Sequence, residues 1–144
     1  YHKSLAWINK IINHPNAIFR EDIQSFARIL QILIHYELNT PDILEHLRVS
    51  TYRFLHKNKL LHKVEDGLLN FIRRLSIPIA IGTKKARMEE FCKFRNELVQ
   101  ITKDPEEKKA LLYFDLISWL ESKIENRPFA EIVREKLKKE IKSK

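Results

Sequence analysis

Residues 20–44 read REDIQSFARILQILIHYELNTPDIL, and this stretch decides the fold. Apolar side chains recur in its first part at helical spacing, and a second apolar set beside them widens the stripe beyond a single face. A helix that is apolar over so much of its circumference must be covered on more than one side, which predicts a central, sandwiched helix over residues 20–38. Thr40 then suits an N-cap, and Pro41 suits the first position of the next helix.

The same kind of amphipathic segment follows on both sides of this stretch, with only two glycines in the whole chain. Prolines mark most of the joints between segments, because helix interiors exclude proline while joints tolerate it. Helices are predicted over residues 1–13, 20–38, 42–57, 62–75, 83–102, 105–126 and 128–144. We therefore predict an all-α fold of about seven helices stacked as antiparallel pairs, arranged as a solenoid or as an irregular helical bundle.

The last two predicted helices carry specific expectations. In the segment 105–126, Leu112 and Trp119 lie among the residues that widen the apolar stripe, which predicts a helix buried on two sides. The final helix places Leu137 and Ile141 on its inward face together with three other apolar residues. Its lysines lie on the outside, which predicts the polar outer face of a terminal cap.

Length and composition place the chain among ordinary globular proteins. It has 144 residues, 44% apolar residues and a net charge of +8, values that suit one helical domain over residues 1–144. A sub-boundary at 76–83 is the alternative, because the apolar run at 76–82 is interpreted as a linker rather than a strand. Since the first residue is Tyr1, we expect the chain to be the C-terminal fragment of a longer protein.

Cysteine content and hydropathy limit the chemistry and the location. Cys92 is the only cysteine, which excludes an internal disulfide framework, and its place between Phe91 and Phe94 predicts a buried side chain. No apolar run approaches the roughly 20 residues that a membrane-spanning helix needs. We expect a cytoplasmic protein without a membrane span.

Two parts of the chain resemble helical-repeat proteins. Tyr1-His2-Lys3-Ser4, followed by Ile8, Ile11-Ile12 and Pro15, resembles the second helix of a tetratricopeptide repeat, and Ala27, Tyr36 and the turn at Asn39 resemble the next repeat. The resemblance covers roughly residues 1–60. Tyr113–Asp115, Ser118–Ser122 and Arg127–Phe129 are similar to the C-terminal ends of long bacterial helical-repeat proteins. This likeness implies a terminal, capping position in a larger array and no catalytic residue.

Candidate catalytic and metal-binding residues are few. His62 and Glu65 stand three apart, which is half of a metal site. A second group clusters around one turn: His35 with Glu37, and Asp42 with Glu45 and His46. We interpret these groups as solvated helix ends, although the sequence leaves open whether His35, Glu37, His46 and His62 converge. The two isolated glycines exclude a phosphate-binding loop. The sequence predicts no enzyme, no cofactor and no metal.

The stronger functional signal is basic. Arg48, Arg53 and Lys57 belong to the third predicted helix, while Arg73, Arg74, Lys84 and Lys85 flank the apolar linker. Together they predict one positive surface. Phe54 and Phe71 fall on inward stripes and are interpreted as core. The predicted function is a non-catalytic scaffold for a protein partner, and the alternative is nucleic-acid or other polyanion binding around residues 48–87.

The first predicted helix supplies a second candidate surface. Trp7 and Ile11 sit beside the stripe that Leu5, Ile8 and Ile12 form, so one of these two sets should face the second helix and the other should be exposed. An exposed apolar patch commonly marks an interaction site. We therefore expect self-association through the N-terminal helix, with Trp7 and Ile11 at the contact.

Overall fold

The computed structural model describes residues 1–14, 21–76 and 83–144, and all regular structure within these ranges is helical. Eight α-helices occur there: α1 His2–Ile12, α2 Glu21–Glu37, α3 Pro41–Lys57, α4 Lys63–Leu75, α5 Lys84–Ile101, α6 Pro105–Lys108, α7 Leu116–Ile124 and α8 Phe129–Ser143. A 3-10 turn, Lys109–Leu111, follows α6 directly. The prediction of an all-α fold with about seven helices packed against one another is confirmed.

The helices form two compact units, Tyr1–Ser76 and Ile77–Lys144. The predicted apolar linker, apart from Ser76, lies outside the described residues.

In the first unit, α2 packs against α1 on one side and against α3 on the other. Ile8 of α1 forms a buried cluster with Ala27 and Ile34 of α2, while Ile32 is fully buried. The wide apolar stripe of α2 is thus covered by two helices, which confirms the predicted sandwiched helix. α4 then packs against α3.

Three helices end on a residue with a left-handed backbone, and none of these residues is glycine. Asn39, Lys59 and Asn126 have φ angles of 53°, 57° and 51°. In each case the amide of the next residue donates a hydrogen bond to the carbonyl five positions earlier: Thr40 to His35 (3.2 Å), Leu60 to Leu55 (2.8 Å) and Arg127 to Ser122 (3.0 Å). This Schellman arrangement satisfies the last carbonyls of α2, α3 and α7 and reverses the chain within a few residues.

The core of the second unit is built around α7, which packs against α5 and against α8. Phe91, Phe94 and Leu98 of α5 are buried, and the centroid of the Phe91 ring lies 6.1 Å from that of Trp119 on α7. Leu120 is fully buried on the same helix. The contact between α5 and α7 thus includes an aromatic pair.

The single helix predicted over residues 105–126 is wrong. The structure has the four-residue α6, the 3-10 turn and, after a break, the nine-residue α7. Asp115 causes the restart, because its carboxylate accepts a hydrogen bond from the Ser118 amide at 2.9 Å and caps α7. The break leaves Leu112 77% exposed, whereas the sequence placed it in a buried stripe. It also lets Phe114 stack on Phe129, with ring centroids 5.4 Å apart.

The inward face predicted for the last helix is correct only for its first half. Ile132 of α8 is buried, but Leu137 and Ile141 are 52% and 74% exposed. The reason is rotation, because Leu137 and Ile141 follow Ile132 by five and nine residues, which is about 140° and 180° around an α-helix. The two side chains therefore lie away from the face of α8 that carries Ile132.

Candidate interaction surface

The exposed side of α3 carries closely spaced cations. Arg53 and Lys57 stand four residues apart on one face of the helix, and both are exposed. Lys59 follows in the joint after α3, and His56 is exposed beside them. We call Arg53, His56, Lys57 and Lys59 the α3 cationic face. Within the ranges that the structure describes, Arg53, Lys57 and Lys59 form no ion pair, so their charges are directed to solvent.

Arg48 belongs to a different face of the same helix. It lies five residues before Arg53, which is about 140° around an α-helix. Its guanidinium donates two hydrogen bonds to Glu45, at 2.6 and 2.9 Å. The hydrogen bond from Arg48 lowers the pKa of Glu45, and the positive charge of Arg73 on α4 adds to the effect. Arg48 is therefore engaged in an ion pair with Glu45, while Arg73 is exposed.

The remaining predicted cations fall in different settings. Arg74 is half-buried on α4, in the first unit. Lys84 and Lys85 are exposed in the first turn of α5, in the second unit, where Thr83 is the N-cap and accepts a hydrogen bond from the Ala86 amide at 3.1 Å. The single positive surface predicted from all seven residues therefore stays a prediction.

Sequence reasoning missed one signal that marks this face. Residues 46–64 contain five Lys or Arg residues and three histidines but no Asp or Glu. This acid-free run spans most of α3 and its exit, and it could have been found by scanning for carboxylates rather than for cations.

An exposed aromatic side chain accompanies the α3 cationic face. The ring of Tyr52 stacks on that of His56, with centroids 5.8 Å apart and 22° between the planes, and Tyr52 is 42% exposed. Phe71, in contrast, is fully buried, as predicted. Phe54 is half-buried under the guanidinium of Arg28, 4.3 Å from the ring centroid. Tyr52 is thus the aromatic residue of α3 that a ligand can reach.

Trp7 and Ile11 do not share one environment. Trp7 is 68% exposed, and the ammonium group of Lys10 lies 4.7 Å from the centre of its ring. Ile11 packs against the buried cluster of Ile8, Ala27 and Ile34, which belongs to the contact between α1 and α2. The expectation that both residues lie on one exposed patch is therefore wrong for Ile11.

Of the histidines of the first unit, His35 lies at a helix joint. His35 Nδ1 lies 2.9 Å from the Thr40 hydroxyl at the turn between α2 and α3, and burial lowers the pKa of His35. His46 and His62 are exposed. Within residues 1–14, 21–76 and 83–144, no three His, Cys, Asp or Glu side chains are grouped so that they could hold a metal ion.

Cys92 is exposed on α5, so the predicted burial is wrong. Phe91 and Phe94 on either side of it are buried. One residue of helix is a rotation of about 100°, and this step carries Cys92 off the inward stripe.

Comparisons with known proteins provide no further assignment. The chain matches no protein-family model, none of the curated proteins and none of the solved structures. Among the described helices, none combines the length and the apolar character that crossing a membrane requires.

Proposed function

We propose that this chain is a non-catalytic helical scaffold that presents the α3 cationic face to a protein partner with an acidic surface. The observation that carries the proposal is the acid-free run 46–64, whose cations Arg53, Lys57 and Lys59 are exposed. Clustered cations without neighbouring carboxylates attract an anionic partner at long range and favour it over a basic one.

The pairing of other charged groups within each unit supports a structural role for those groups. Glu45 pairs with Arg48 within α3, and Glu121 pairs with Arg95 and Lys136 in the second unit. The resemblance of residues 1–60 to tetratricopeptide repeats agrees with this proposal, since stacked helix pairs chiefly create binding surface. A cytoplasmic location and a bacterial origin stay predictions.

Nucleic-acid binding is the second candidate, and the Tyr52–His56 stack favours it. Single-stranded nucleic acids combine phosphate contacts with base stacking on exposed aromatic rings. Tyr52 offers such a ring directly beside Arg53, on the same helix as Lys57. An acidic protein partner would contact the cations, but it carries no bases that stack on the Tyr52 ring.

The two candidates can be separated with two probes of similar charge. We would measure the binding of a fluorescent polyglutamate peptide and of a fluorescent single-stranded oligothymidine to the full chain by anisotropy. The variants are Arg53→Glu with Lys57→Glu, and Tyr52→Ala. The matched control is Lys103→Glu with Lys108→Glu, two exposed lysines of the second unit whose replacement changes the net charge equally.

The proposed function predicts that Arg53→Glu with Lys57→Glu weakens polyglutamate binding by about tenfold, while the control and Tyr52→Ala leave it unchanged. Nucleic-acid binding predicts that Tyr52→Ala also weakens oligothymidine binding and that log affinity falls with log salt by about 0.7 for each contacted phosphate. Equal loss in the α3 variant and in the control would mean that only net charge matters, and both candidates would be wrong.

Self-association through α1 is a separate proposal, now restricted to Trp7. Sedimentation of the wild type beside Trp7→Glu tests it, because Trp7 is exposed and its replacement leaves the packing of Ile11 on α2 intact. Concentration-dependent dimerisation that Trp7→Glu abolishes is expected. A wild type that remains monomeric at high concentration would refute self-association.

A further inference from the structure

The second half of α8 carries an apolar stripe that the fold does not cover. The first half packs against α7, where Ile132 is buried and Lys136 pairs with Glu121 at 2.7 Å. One residue further along, Leu137 is 52% exposed, and Ile141 is 74% exposed. They stand four residues apart, so they lie one above the other on the same face of the helix. We call Leu137 and Ile141 the α8 stripe.

The α8 stripe is narrow. Arg134 and Lys138 run along one side of it, while Glu140 and Lys144 lie on the other, each within about 80° of its centre. A strip one residue wide between charged flanks is typical of a helix–helix seam. A helix that lies in a membrane interface instead buries a broad apolar face containing large residues such as Trp, Phe and Leu.

The charge around the α8 stripe limits what can cover it. Residues 134–144 contain six Lys or Arg residues and two Glu residues. A second copy of this helix would bring the same excess of cations to the seam, and like charges at the flanks of paired helices oppose association. A helix with acidic flanks would instead be attracted by Arg134, Lys138 and Lys144, which outnumber the one flanking carboxylate, Glu140.

We propose that the second half of α8 pairs with an acidic amphipathic helix of a partner protein, with the partner's apolar residues seated on Leu137 and Ile141. This inference rests on the proposed scaffold function but uses a surface in the second unit, separate from the α3 cationic face. The partner segment that would bind there is a helix with a narrow apolar stripe and carboxylates on both flanks.

A designed peptide can serve as the probe. It consists of heptads with Leu at positions a and d and Glu at e and g, carries a fluorophore and is compared with a scrambled peptide of identical composition. Binding to the full chain is measured by anisotropy near physiological salt. The test variant is Leu137→Gln with Ile141→Gln, which keeps charge and helix propensity. The matched control is Leu112→Gln, because Leu112 is a leucine of the same unit that is 77% exposed.

The wild type should bind the designed peptide at least about tenfold more tightly than the scrambled one, since only the former can bury the α8 stripe. The Leu137→Gln, Ile141→Gln variant should lose that preference, and Leu112→Gln should keep it. Circular dichroism of each variant checks that the helix content is unchanged.

Three outcomes would overturn this inference. Equal affinity for the designed and the scrambled peptide would show attraction by charge alone. If the Leu137→Gln, Ile141→Gln variant still prefers the designed peptide, the peptide binds elsewhere. If the Arg53→Glu, Lys57→Glu variant loses this preference, the peptide binds at α3, and the proposed function remains intact. Tighter binding to vesicles that contain an anionic phospholipid than to the peptide would identify a lipid surface instead.

Discussion

Replacing Glu121 by Gln tests the charge network that joins three helices of the second unit. The carboxylate of Glu121 on α7 accepts hydrogen bonds from Arg95 on α5, at 2.9 Å, and from Lys136 on α8, at 2.7 Å. Burial raises the pKa of Glu121, but the hydrogen bonds from Lys136 and Arg95 together outweigh it, so the pKa lies below its ordinary value. Folding therefore favours the ionised form of Glu121.

The expected loss of unfolding free energy depends on how exposed Glu121 and its two partners are. Two hydrogen bonds to a charged group contribute about 1.5–3 kcal/mol each when they are shielded from water. Glu121 is well shielded at 13% side-chain exposure, but Arg95 and Lys136 are each 39% exposed and can be rehydrated, which reduces the loss. We expect Glu121→Gln to lower the free energy of unfolding by about 2 kcal/mol, a fall in melting temperature of about 4–8 °C for a chain of this length.

Denaturant titration at neutral pH, followed by circular dichroism, provides the measurement. The control is Glu106→Gln, because Glu106 and its partner Lys109 are 77% and 62% exposed, and their pair should contribute less than about 0.5 kcal/mol.

The pH dependence of the free energy of unfolding gives a second check. Since the pKa of Glu121 is lowered on folding, the stability that it contributes is present above pH 4.5 and is lost as the pH falls below that value. Equal losses for both variants, or a difference that persists in acid, would refute the reasoning.

Three further predictions concern the joints. Asp115→Ala removes the cap of α7 and should cost about 1 kcal/mol of unfolding free energy by denaturant titration, whereas no loss would mean that the cap does not fix the start of α7. Lys59→Gly should raise stability by up to about 1 kcal/mol, because Lys59 has a φ of 57° that glycine adopts without strain, and a destabilised variant would contradict this. His35 should titrate by NMR with a pKa below 6.5, because burial disfavours its cation. Its contribution to stability is then present above pH 6.5 and falls away in acid, and a pKa at or above 6.5 would show that burial does not control it.

Helix boundaries were predictable wherever a local signal fixes them. Thr83 caps α5, and Pro41 occupies the first turn of α3 as predicted. These signals act within a single turn and need no knowledge of the rest of the fold. The wide stripe of α2 likewise required two neighbours, and the structure provides them.

The wrong predictions concern features that depend on a competing hydrogen bond or on how a helix packs against its neighbour. The apolar period through residues 105–126 favoured one helix, but Asp115 offered the backbone a capping hydrogen bond that starts a new one. The exposure of Leu137 and Ile141 depended on which face of α8 packs against α7, and the exposure of Cys92 depended on where the apolar stripe of α5 is centred. For the candidate surfaces, the sequence showed which residues are charged, but it did not predict that Arg48 forms an ion pair with Glu45.

The exposure of the α8 stripe follows from which face of α8 packs against α7. Ile132 is buried and Lys136 pairs with Glu121, so these two residues, about 40° apart around the helix, mark the packed face. Leu137 and Ile141 lie about 140° and 180° from Ile132, so a longer α7 on the packed face would not have covered them. The apolar spacing of α8 alone predicted one buried face, whereas the surface that we propose for a partner helix lies on the other side of the helix.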